Sequence, residues 1–284
     1  MEYFKLANGA LMPAIGFGTV NVAREGGRLE NPLTDDFSAI TTALQAGYRL
    51  FDTALAYGNE AGIGQAVEKS GIKREELFLS GKVPNKAPYN VSKDSVRRSV
   101  EESLLRMRIE YFDLMLIHHA VSPDSRVMDE DTVCMIWETL CSLKTEGKLL
   151  GVGVSNFEAR QLSFLLNNCS EKPLVDQLRC NPTCPNSEAI RLCKQNGILP
   201  EAHSPLNFTK ARGIKIVDPT YMQKLTLLGQ QHKKSWSQIL LRYNYQNGLV
   251  SIPGSSKPEH QTANLDIFDF ELSELEMEEI AFKD

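Results

Sequence analysis

The sequence predicts one (β/α)8 barrel, the TIM-barrel fold, that spans residues 1–284 as a single domain. Short apolar segments alternate with amphipathic segments, the connections between them are short, and the composition does not change along the chain. Parallel strands that are covered by helices on both faces form continuous apolar runs of this kind. A length of 284 residues is ordinary for such a barrel.

The strands follow from the short apolar runs. Asn8-Gly9 lies between two such runs, which predicts a two-residue turn and an N-terminal β-hairpin over residues 3–13. Eight barrel strands are predicted after the hairpin, over residues 14–18, 48–52, 77–82, 114–118, 149–154, 174–178, 198–203 and 249–253.

The helices follow from periodicity and from glycines that end them. Val96, Val100, Leu104 and Met107 recur on one face of the segment 92–107, with charged residues on the other face. Glycine directly after the last periodic residue is a common helix end. Ten helices are predicted, of which the last two are extra to the barrel repeat: 36–46, 60–69, 92–107, 133–145, 158–167, 188–195, 219–232, 237–246, 258–265 and 273–282.

A doubly wound sheet is the rival fold. If it bound a dinucleotide, its first strand would lead into a three-glycine fingerprint. Gly16-Phe17-Gly18-Thr19-Val20-Asn21 lacks the third glycine, and Gly151-Val152-Gly153-Val154-Ser155-Asn156 also fails the spacing. The two-glycine pattern alone is weak evidence, so both segments are interpreted as barrel strands.

Charge and hydropathy exclude several classes of partner. The formal net charge is −5, and there is no basic tract that would bind a phosphate backbone, so we expect no nucleic acid partner. No apolar run approaches the length of a membrane span, and Met1-Glu2-Tyr3-Phe4-Lys5 does not resemble a secretory signal. We therefore expect a cytoplasmic protein without a membrane partner. A monomer is the expected state, although no feature of the sequence decides it.

The six cysteines contain no Cys-x-x-Cys pair. Cys180, Cys184, Cys193 and His203 are conceivable metal ligands, but their spacing is irregular. We expect reduced structural thiols and no metal.

Four polar residues follow or close apolar segments in the first half of the chain. Asp52, Lys82 and His118 each close a predicted strand, and Tyr57 follows Asp52 in a loop. Strand ends converge on one face of a barrel, so these side chains predict a proton-transfer site. Taken singly, each has an ordinary structural explanation, such as a turn cap or a core histidine, but together they favour a joint site.

Several motifs, in order along the chain, resemble the aldo-keto reductases. Asp52-Thr53-Ala54-x-x-Tyr57-Gly58-Asn59-Glu60 resembles the signature segment of that family. Further motifs extend the resemblance over essentially the whole chain: Met12-Pro13-x-x-Gly16-Phe17-Gly18-Thr19, Leu116-Ile117-His118, Gly153-Val154-Ser155-Asn156-Phe157, Ser204-Pro205-Leu206 and Phe268-Asp269-Phe270-Glu271-Leu272-Ser273. The resemblance implies a barrel whose hairpin plugs the bottom, and reduction of aldehydes or ketones to alcohols with NAD(P)H.

The resemblance also implies roles for the four polar residues. Tyr57 would be the general acid, and Lys82 would lower the pKa of its hydroxyl by stabilising tyrosinate. Asp52 would keep Lys82 charged and in place. His118 would orient the carbonyl and donate to the developing alkoxide.

Cofactor contacts of the family map onto residues in the second half of the chain and onto Thr19. Ser155, Asn156 and Gln177 suit a nicotinamide carboxamide, and the predicted helix start near residues 256–258 offers backbone donors to a phosphate. The full set is Thr19, Ser155, Asn156, Gln177, His203, Ser204, Leu206, Ser255, Ser256, Lys257, His260 and Asn264.

Three positions near the predicted cofactor site depart from the family pattern. His203 stands where many members have a tyrosine that stacks on the nicotinamide, and a protonated imidazole would oppose the oxidised ring. Gly254 and His260 stand where many members have the lysine and arginine that hold the ribose 2′-phosphate. Lys257 could supply one cation. We expect NADPH, with NADH as the open alternative.

The substrate end lacks the tryptophans of familiar members and has Val20, Pro84 and His119 in their place. The resemblance therefore implies a small-molecule carbonyl substrate that is small or polar. The basic residues Lys210, Arg212 and Lys215 are expected to lie in a solvated loop.

Two other functions are possible on this fold. A nucleotide-binding regulatory protein with little turnover would share the fold and the cofactor site. A metal-dependent hydrolase would need clustered ligands at strand ends, whereas only His118, His119 and His203 are available there.

Overall fold

The computed structural model describes residues 2–27, 30–207 and 217–282. Its main sheet has eight parallel strands in sequential order. The strands of this sheet are β3 Phe17–Gly18, β4 Leu50–Asp52, β5 Phe78–Val83, β6 Leu114–Ile117, β7 Val152–Ser155, β8 Val175–Arg179, β9 Leu199–His203 and β10 Val250–Ile252.

Backbone contacts bring the first and last strands of this sheet together. Ile15 forms a parallel bridge with Ser251, whose amide donates to the carbonyl of Ala14 at 3.2 Å. The Gly16 amide in turn donates to the carbonyl of Ser251 at 2.9 Å. The strands therefore form a nearly closed barrel, and the prediction of a (β/α)8 fold is confirmed.

Helices lie between the strands and after the last one. The described chain contains α1 Ser38–Ala46, α2 Glu60–Ser70, α3 Lys93–Met107, α4 Glu130–Thr145, α5 Ala159–Asn168, α6 Ser187–Gln195, α7 Pro219–His232, α8 Trp236–Gln246, α9 Pro258–Leu265 and α10 Glu274–Glu279. Each predicted helix is present. The largest difference at a helix start is in α4, which begins three residues early because the Asp129 side chain accepts from the Thr132 amide and caps it.

The predicted hairpin consists of the antiparallel strands β1 Tyr3–Lys5 and β2 Leu11–Pro13. Its buried residues Leu6 and Met12 pack in one cluster with Leu50 and Leu114, which begin β4 and β6. The hairpin therefore covers the amino end of the barrel, and the polar strand ends lie at the opposite end. A larger apolar cluster fills the space between the strands and the surrounding helices.

Within the described ranges, no helix is long and apolar enough to cross a membrane. The six cysteines are unpaired. No group of three or more metal-ligating side chains lies together in the part of the chain that the structure describes. Lys210, Arg212 and Lys215 lie outside the described residues. The single-domain organisation over residues 1–284 stays a prediction.

Candidate active site

A buried ammonium group lies between a carboxylate and a phenol at the carboxyl end of the barrel. Lys82 Nζ donates to both carboxylate oxygens of Asp52 at 2.6 Å and to the carbonyl of Thr53 at 3.1 Å. It also lies 3.4 Å from Tyr57 Oη. Lys82 and Asp52 are each only 2% exposed, so water screens this ion pair little.

The local structure fixes each of these side chains. Asp52 is the last residue of β4, and Lys82 lies near the end of the adjacent β5. Tyr57 ends a 3-10 turn that closes at Gly58, whose φ of 71° is readily available to glycine. Arg24 Nη2 donates to the carbonyl of Tyr57 at 2.6 Å, which ties this turn to the loop after β3.

The pKa of the Tyr57 hydroxyl is raised overall. Burial of the phenol has the largest effect; the charge of Lys82 lowers the pKa, as expected from the sequence, but offsets burial only in part, while Asp52 adds to the increase. The sequence analysis considered the ammonium and not desolvation, which outweighs it. A raised pKa keeps Tyr57 protonated at neutral pH, as a proton donor must be.

Lys82 stays charged despite complete burial. Burial acts to lower the pKa of its ammonium, but Asp52 and Tyr57 outweigh this effect and raise the pKa above its ordinary value. The site therefore contains a permanent cation beside a neutral phenol.

His118 lies beside the phenol as a neutral imidazole. Its ring centroid is 5.7 Å from that of Tyr57, and its amide extends β6 by donating to the carbonyl of Val83. Burial, followed by the charge of Lys82, lowers the pKa of His118 to about 2. A neutral imidazole carries one N–H donor, which suits an electrophilic role at a carbonyl oxygen.

The hydrogen bonds continue from Asp52 to two further buried side chains. Gln177 Nε2 donates to Asp52 Oδ1 at 2.8 Å and to Glu201 Oε2 at 2.7 Å. Gln177 is 2% and Glu201 1% exposed. We call these side chains the buried polar cluster: Asp52, Tyr57, Lys82, Gln177 and Glu201.

The candidate nicotinamide residues join the buried polar cluster through β7, β8 and β9. The Ser155 hydroxyl donates to the carbonyl of Gln177 at 3.0 Å and accepts from Asn156 Nδ2 at 3.0 Å. Asn156 Oδ1 lies 3.0 Å from His203 Nε2, and His203 Nδ1 lies 3.2 Å from Ser204 Oγ. Amide and hydroxyl groups therefore surround the flat ring of His203, a donor set that fits a nicotinamide and its carboxamide.

His203 is neutral in this arrangement. Burial, followed by the charges of Lys82 and Arg179, lowers the pKa of its imidazole to about 3. An uncharged ring does not oppose a positively charged oxidised pyridine ring.

Thr19 and Leu206 flank this network. The Thr19 hydroxyl donates to the backbone carbonyl of Asp52 at 2.9 Å, and the side chain is fully buried. Leu206 is partly buried against the main apolar cluster, two residues after Ser204.

The remaining cofactor candidates lie on α9 and the segment before it. The Ser255 hydroxyl accepts from the Lys257 amide at 3.1 Å and lies 3.5 Å from His260 Nδ1. Ser256, Lys257 and His260 are exposed, whereas Asn264 is buried beside the Tyr48 hydroxyl. Within the described part of the chain, no hydrogen bond joins these residues to the buried polar cluster, so they form a second region.

The chain is similar to known proteins over nearly its whole length. The model of the Aldo/keto reductase family matches residues 14–284. A glyoxal reductase of Bacillus subtilis is 37% identical over 276 residues, which cover 97% of this chain and 90% of that protein. A solved aldo-keto reductase of Bombyx mori in complex with NADP has a TM-score of 0.86 at 32% identity, covering 98% of this chain and 91% of that chain.

The chain belongs to the aldo-keto reductase family. Its relatives also include a mouse aldo-keto reductase family 1 member D1, 33% identical over 97% of this chain and 88% of that protein. Proteins of this family act on small-molecule carbonyl compounds with a nicotinamide cofactor, and the chain is an NAD(P)H-dependent oxidoreductase.

Packing explains why this aldo-keto reductase has no lysine at position 254. A Cβ at Gly254 would lie 2.4 Å from the backbone oxygen of Gly18, much closer than real Cβ contacts. A Cβ at Gly18 would likewise lie 2.7 Å from the carbonyl oxygen of Ile252. The two backbones approach closely where the barrel closes, so a side chain at 254 would push them apart.

The three candidate substrate residues follow three different strands of the reductase barrel. Val20 follows β3, the buried Pro84 follows β5, and His119 follows β6. His119 stacks on His118, with ring centroids 4.4 Å apart and an interplanar angle of 9°. Burial is the main cause of a lowered His119 pKa.

The structure adds residues that sequence reasoning missed. Glu201 interrupts the apolar strand β9, and a charged residue in such a run is a signal of an inward-facing polar contact. Asn59 Nδ2 donates to the carbonyl of Thr19 at 2.8 Å and so holds the loop that carries Tyr57. Its position within the signature segment was the only signal.

Proposed function

We propose that this aldo-keto reductase reduces small or polar aldehydes and ketones, with Tyr57 as the general acid and NADPH as the reductant. The observation that carries the proposal is the position of the buried Lys82 Nζ, 2.6 Å from Asp52 and 3.4 Å from Tyr57 Oη. A buried cation beside a phenol stabilises the phenolate that forms when the phenol gives up its proton.

The cofactor would supply a hydride to the carbonyl carbon. Ser155, Asn156 and Gln177 would hold its carboxamide, and the neutral ring of His203 would contact its pyridine face. Thr19, Ser204 and Leu206 are the further candidates at this end of the barrel. Asn264, the half-buried Ser255 and the exposed residues Ser256, Lys257 and His260 are candidates for the other half of the cofactor.

The residues of the chain would handle the proton. The neutral imidazole of His118 donates an N–H to the carbonyl oxygen and so orients the substrate. As negative charge develops on that oxygen, the Tyr57 hydroxyl donates its proton to it. Lys82 stabilises the resulting tyrosinate, and Asp52 keeps the ammonium charged and in place.

The choice of NADPH rests on the family resemblance and on Lys257, the lysine in the segment that leads into α9. The Bombyx mori structure is a complex with NADP. NADH remains the alternative, because Gly254 and His260 replace the lysine and arginine of many members.

The substrate class rests on the three residues Val20, Pro84 and His119 and on similarity to a protein named glyoxal reductase. None of the three has the large apolar surface of tryptophan, so the mouth of the barrel is suited to small or polar carbonyl compounds. The monomeric state and the cytoplasmic location stay predictions.

The test is Tyr57→Phe, assayed with NADPH and a reactive small aldehyde such as glyoxal. We expect kcat to fall by about 10³-fold, because general acid catalysis contributes on the order of 10²–10⁴-fold. The dissociation constant of NADPH, measured by fluorescence titration, should change little because the hydroxyl is not a cofactor contact in this proposal.

Tyr3→Phe is the matched control, since this exposed tyrosine lies in the hairpin at the other end of the barrel. Normal turnover in Tyr57→Phe would refute the acid assignment. NADPH binding by the wild type without turnover of any reactive aldehyde would favour a regulatory role instead.

A further inference from the structure

A further ionisable group lies inside the barrel beside the candidate catalytic residues and has no part in the mechanism above. Glu201 is in the middle of β9, in register with Gln177 of β8 and Val250 of β10. It is 1% exposed. Burying an ionisable side chain costs free energy unless its polar atoms have hydrogen-bond partners.

The contact of Glu201 with Gln177 fixes the orientation of an amide group. An amide nitrogen carries two hydrogens, and Gln177 Nε2 donates to Asp52 Oδ1 and to Glu201 Oε2. Both of its donors are therefore used within the protein. The amide oxygen is the atom of Gln177 that is left to accept from a ligand, and Glu201 helps to keep it in that orientation.

The charge balance of the buried polar cluster depends on Glu201. The ammonium of Lys82 already contacts both oxygens of Asp52, so these two groups neutralise each other. Glu201 Oε1 is buried without a hydrogen-bond partner. An ionised Glu201 would therefore leave an uncompensated charge inside the barrel, whereas a protonated one would not.

The groups that face Glu201 come from several strands. Asp52 on β4 and Lys82 on β5 are charged, whereas Gln177 on β8 and Val250, the register partner of Glu201 on β10, are not. Tyr57, His118 and His203 are neutral at pH 7 for the reasons given above. Burial, followed by the charge of Asp52, raises the pKa of Glu201 to about 8.

We propose that Glu201 is a positioning residue that stays protonated during reduction, holds the amide of Gln177, and keeps the buried polar cluster from gaining a second negative charge when Tyr57 gives up its proton. The inference rests on the proposed function. It deepens that function by adding a group whose protonation state controls the acidity of Tyr57 without contact with the substrate.

The consequence is a defined pH dependence. When Tyr57 donates its proton, the cluster changes from neutral to a charge of minus one, and an ionised Glu201 would make it minus two. Like charges in a buried site oppose each other, so loss of the Glu201 proton slows reduction. The kcat for reduction should therefore fall as pH rises through about 8, the value to which the pKa of Glu201 is raised.

The first variant is Glu201→Gln, which keeps the size and the oxygen that accepts from Gln177 but cannot ionise. The pH profile of kcat with NADPH and glyoxal should lose the decrease centred near the Glu201 pKa of about 8. The KM for NADPH at pH 7 should stay within about threefold of the wild type, because the contact with Gln177 is preserved.

The second variant is Glu201→Leu, which removes the contact with Gln177. We expect the KM for NADPH to rise by about tenfold, the typical effect of one lost hydrogen bond, with a smaller change in kcat. Asp176→Asn is the matched control. Asp176 is fully buried on β8, but its carboxylate lies 3.9 Å from Cys193 Sγ of α6, away from the cluster.

A decrease in kcat near the same pH in both the wild type and Glu201→Gln would overturn the inference. A KM for NADPH that is unchanged in a folded Glu201→Leu would overturn its positioning half. If the wild type showed no turnover, the proposed function would fail first. In that case, equal NADPH dissociation constants for the wild type and Glu201→Leu would separately refute the contact with Gln177.

Discussion

The two regions that hold the candidate catalytic and cofactor residues are built in opposite ways. The buried polar cluster has four hydrogen bonds of 2.6–2.8 Å between side chains that are almost inaccessible to water. The α9 loop, residues 254–257, and the nearby His260 are largely exposed, and the contacts of the Ser255 hydroxyl are 3.1–3.5 Å long. The interactions of the cluster are therefore preformed inside the barrel, whereas the candidate cofactor groups of the loop are largely solvated.

The difference also explains which departures from the family pattern the chain accommodates. A change in the buried polar cluster leaves another charge without its partner in a medium that cannot solvate it. A change of charge in the α9 loop is compensated by water. In the loop region, Gly254 and His260 replace the lysine and arginine of many family members. In the barrel, all four catalytic candidates are retained.

The largest expected effect is that of Lys82→Met, because it leaves Asp52 buried without its cation. We expect the free energy of unfolding to fall by about 3–5 kcal/mol, as for other broken buried pairs. The same substitution at Lys93, which lies 2.8 Å from Glu138 with both side chains more than 60% exposed, should cost about 0–1 kcal/mol. Urea unfolding measures both, and equal losses would contradict the contrast between buried and exposed regions.

Gly254→Ala should have the next largest effect. Its Cβ would lie 2.4 Å from the Gly18 oxygen, so the strand ends must separate, at a cost of about 1–3 kcal/mol. Thermal unfolding measures the loss, and the exposed Ser256→Ala in the same loop is the control, expected within about 0.5 kcal/mol.

Gly254→Lys tests the same packing through cofactor binding. If the close approach of the backbones matters, the added lysine should not improve NADPH binding, although it restores a cation of the family pattern. Tighter NADPH binding with unchanged stability would show that position 254 tolerates a side chain.

The pH dependence of stability should reveal the contribution of the half-buried His203. The pKa of His203 is lowered to about 3, so between pH 6.5 and 3 the unfolded chain binds a proton that the folded chain does not. Stability is therefore lost as pH falls below the unfolded pKa, by on the order of 1 kcal/mol per pH unit for this residue.

His203→Gln should remove that contribution. The difference in unfolding free energy between variant and wild type should shift in favour of the variant as pH falls from 7 to 4.5. A difference that stays constant over this pH range would refute the role of burial.

The smallest expected effect is that of His260→Arg. An added guanidinium near the α9 loop should lower the dissociation constant of NADPH by about three- to tenfold, because it can form two parallel hydrogen bonds to the 2′-phosphate. The dissociation constant of NADH, which lacks that phosphate, should stay unchanged. The gain should decrease at high salt because the site is exposed. Lys257→Met is the complementary variant, and unchanged NADPH affinity in both would place the 2′-phosphate elsewhere.

The sequence predicted most of the fold and a large part of the candidate site. The alternation of apolar runs and helical periodicity located every helix, and Asn8-Gly9 located the hairpin. Because strand ends converge on one face of a barrel, the sequence predicted Asp52, Lys82 and His118 at the same end, where they lie in the structure. Tyr57 followed because its turn comes directly after β4.

Other features could not be predicted because they depend on distances between strands that are far apart in sequence. Gln177 reaches Asp52 across 125 positions, and this contact exists only once the barrel has closed. The raised pKa of Tyr57 could not be predicted for the same reason, since desolvation depends on what covers the phenol.

By itself, the sequence determined the order of elements, the barrel and the end at which its polar residues gather, since period and turn chemistry are local properties of the chain. Only the tertiary structure decided which charges share a buried space. Burial, hydrogen-bond geometry and the close approach of Gly18 to Gly254 all arise when the first strand meets the last. Those contacts set the protonation states, because a charge far from water is governed by its nearest neighbours.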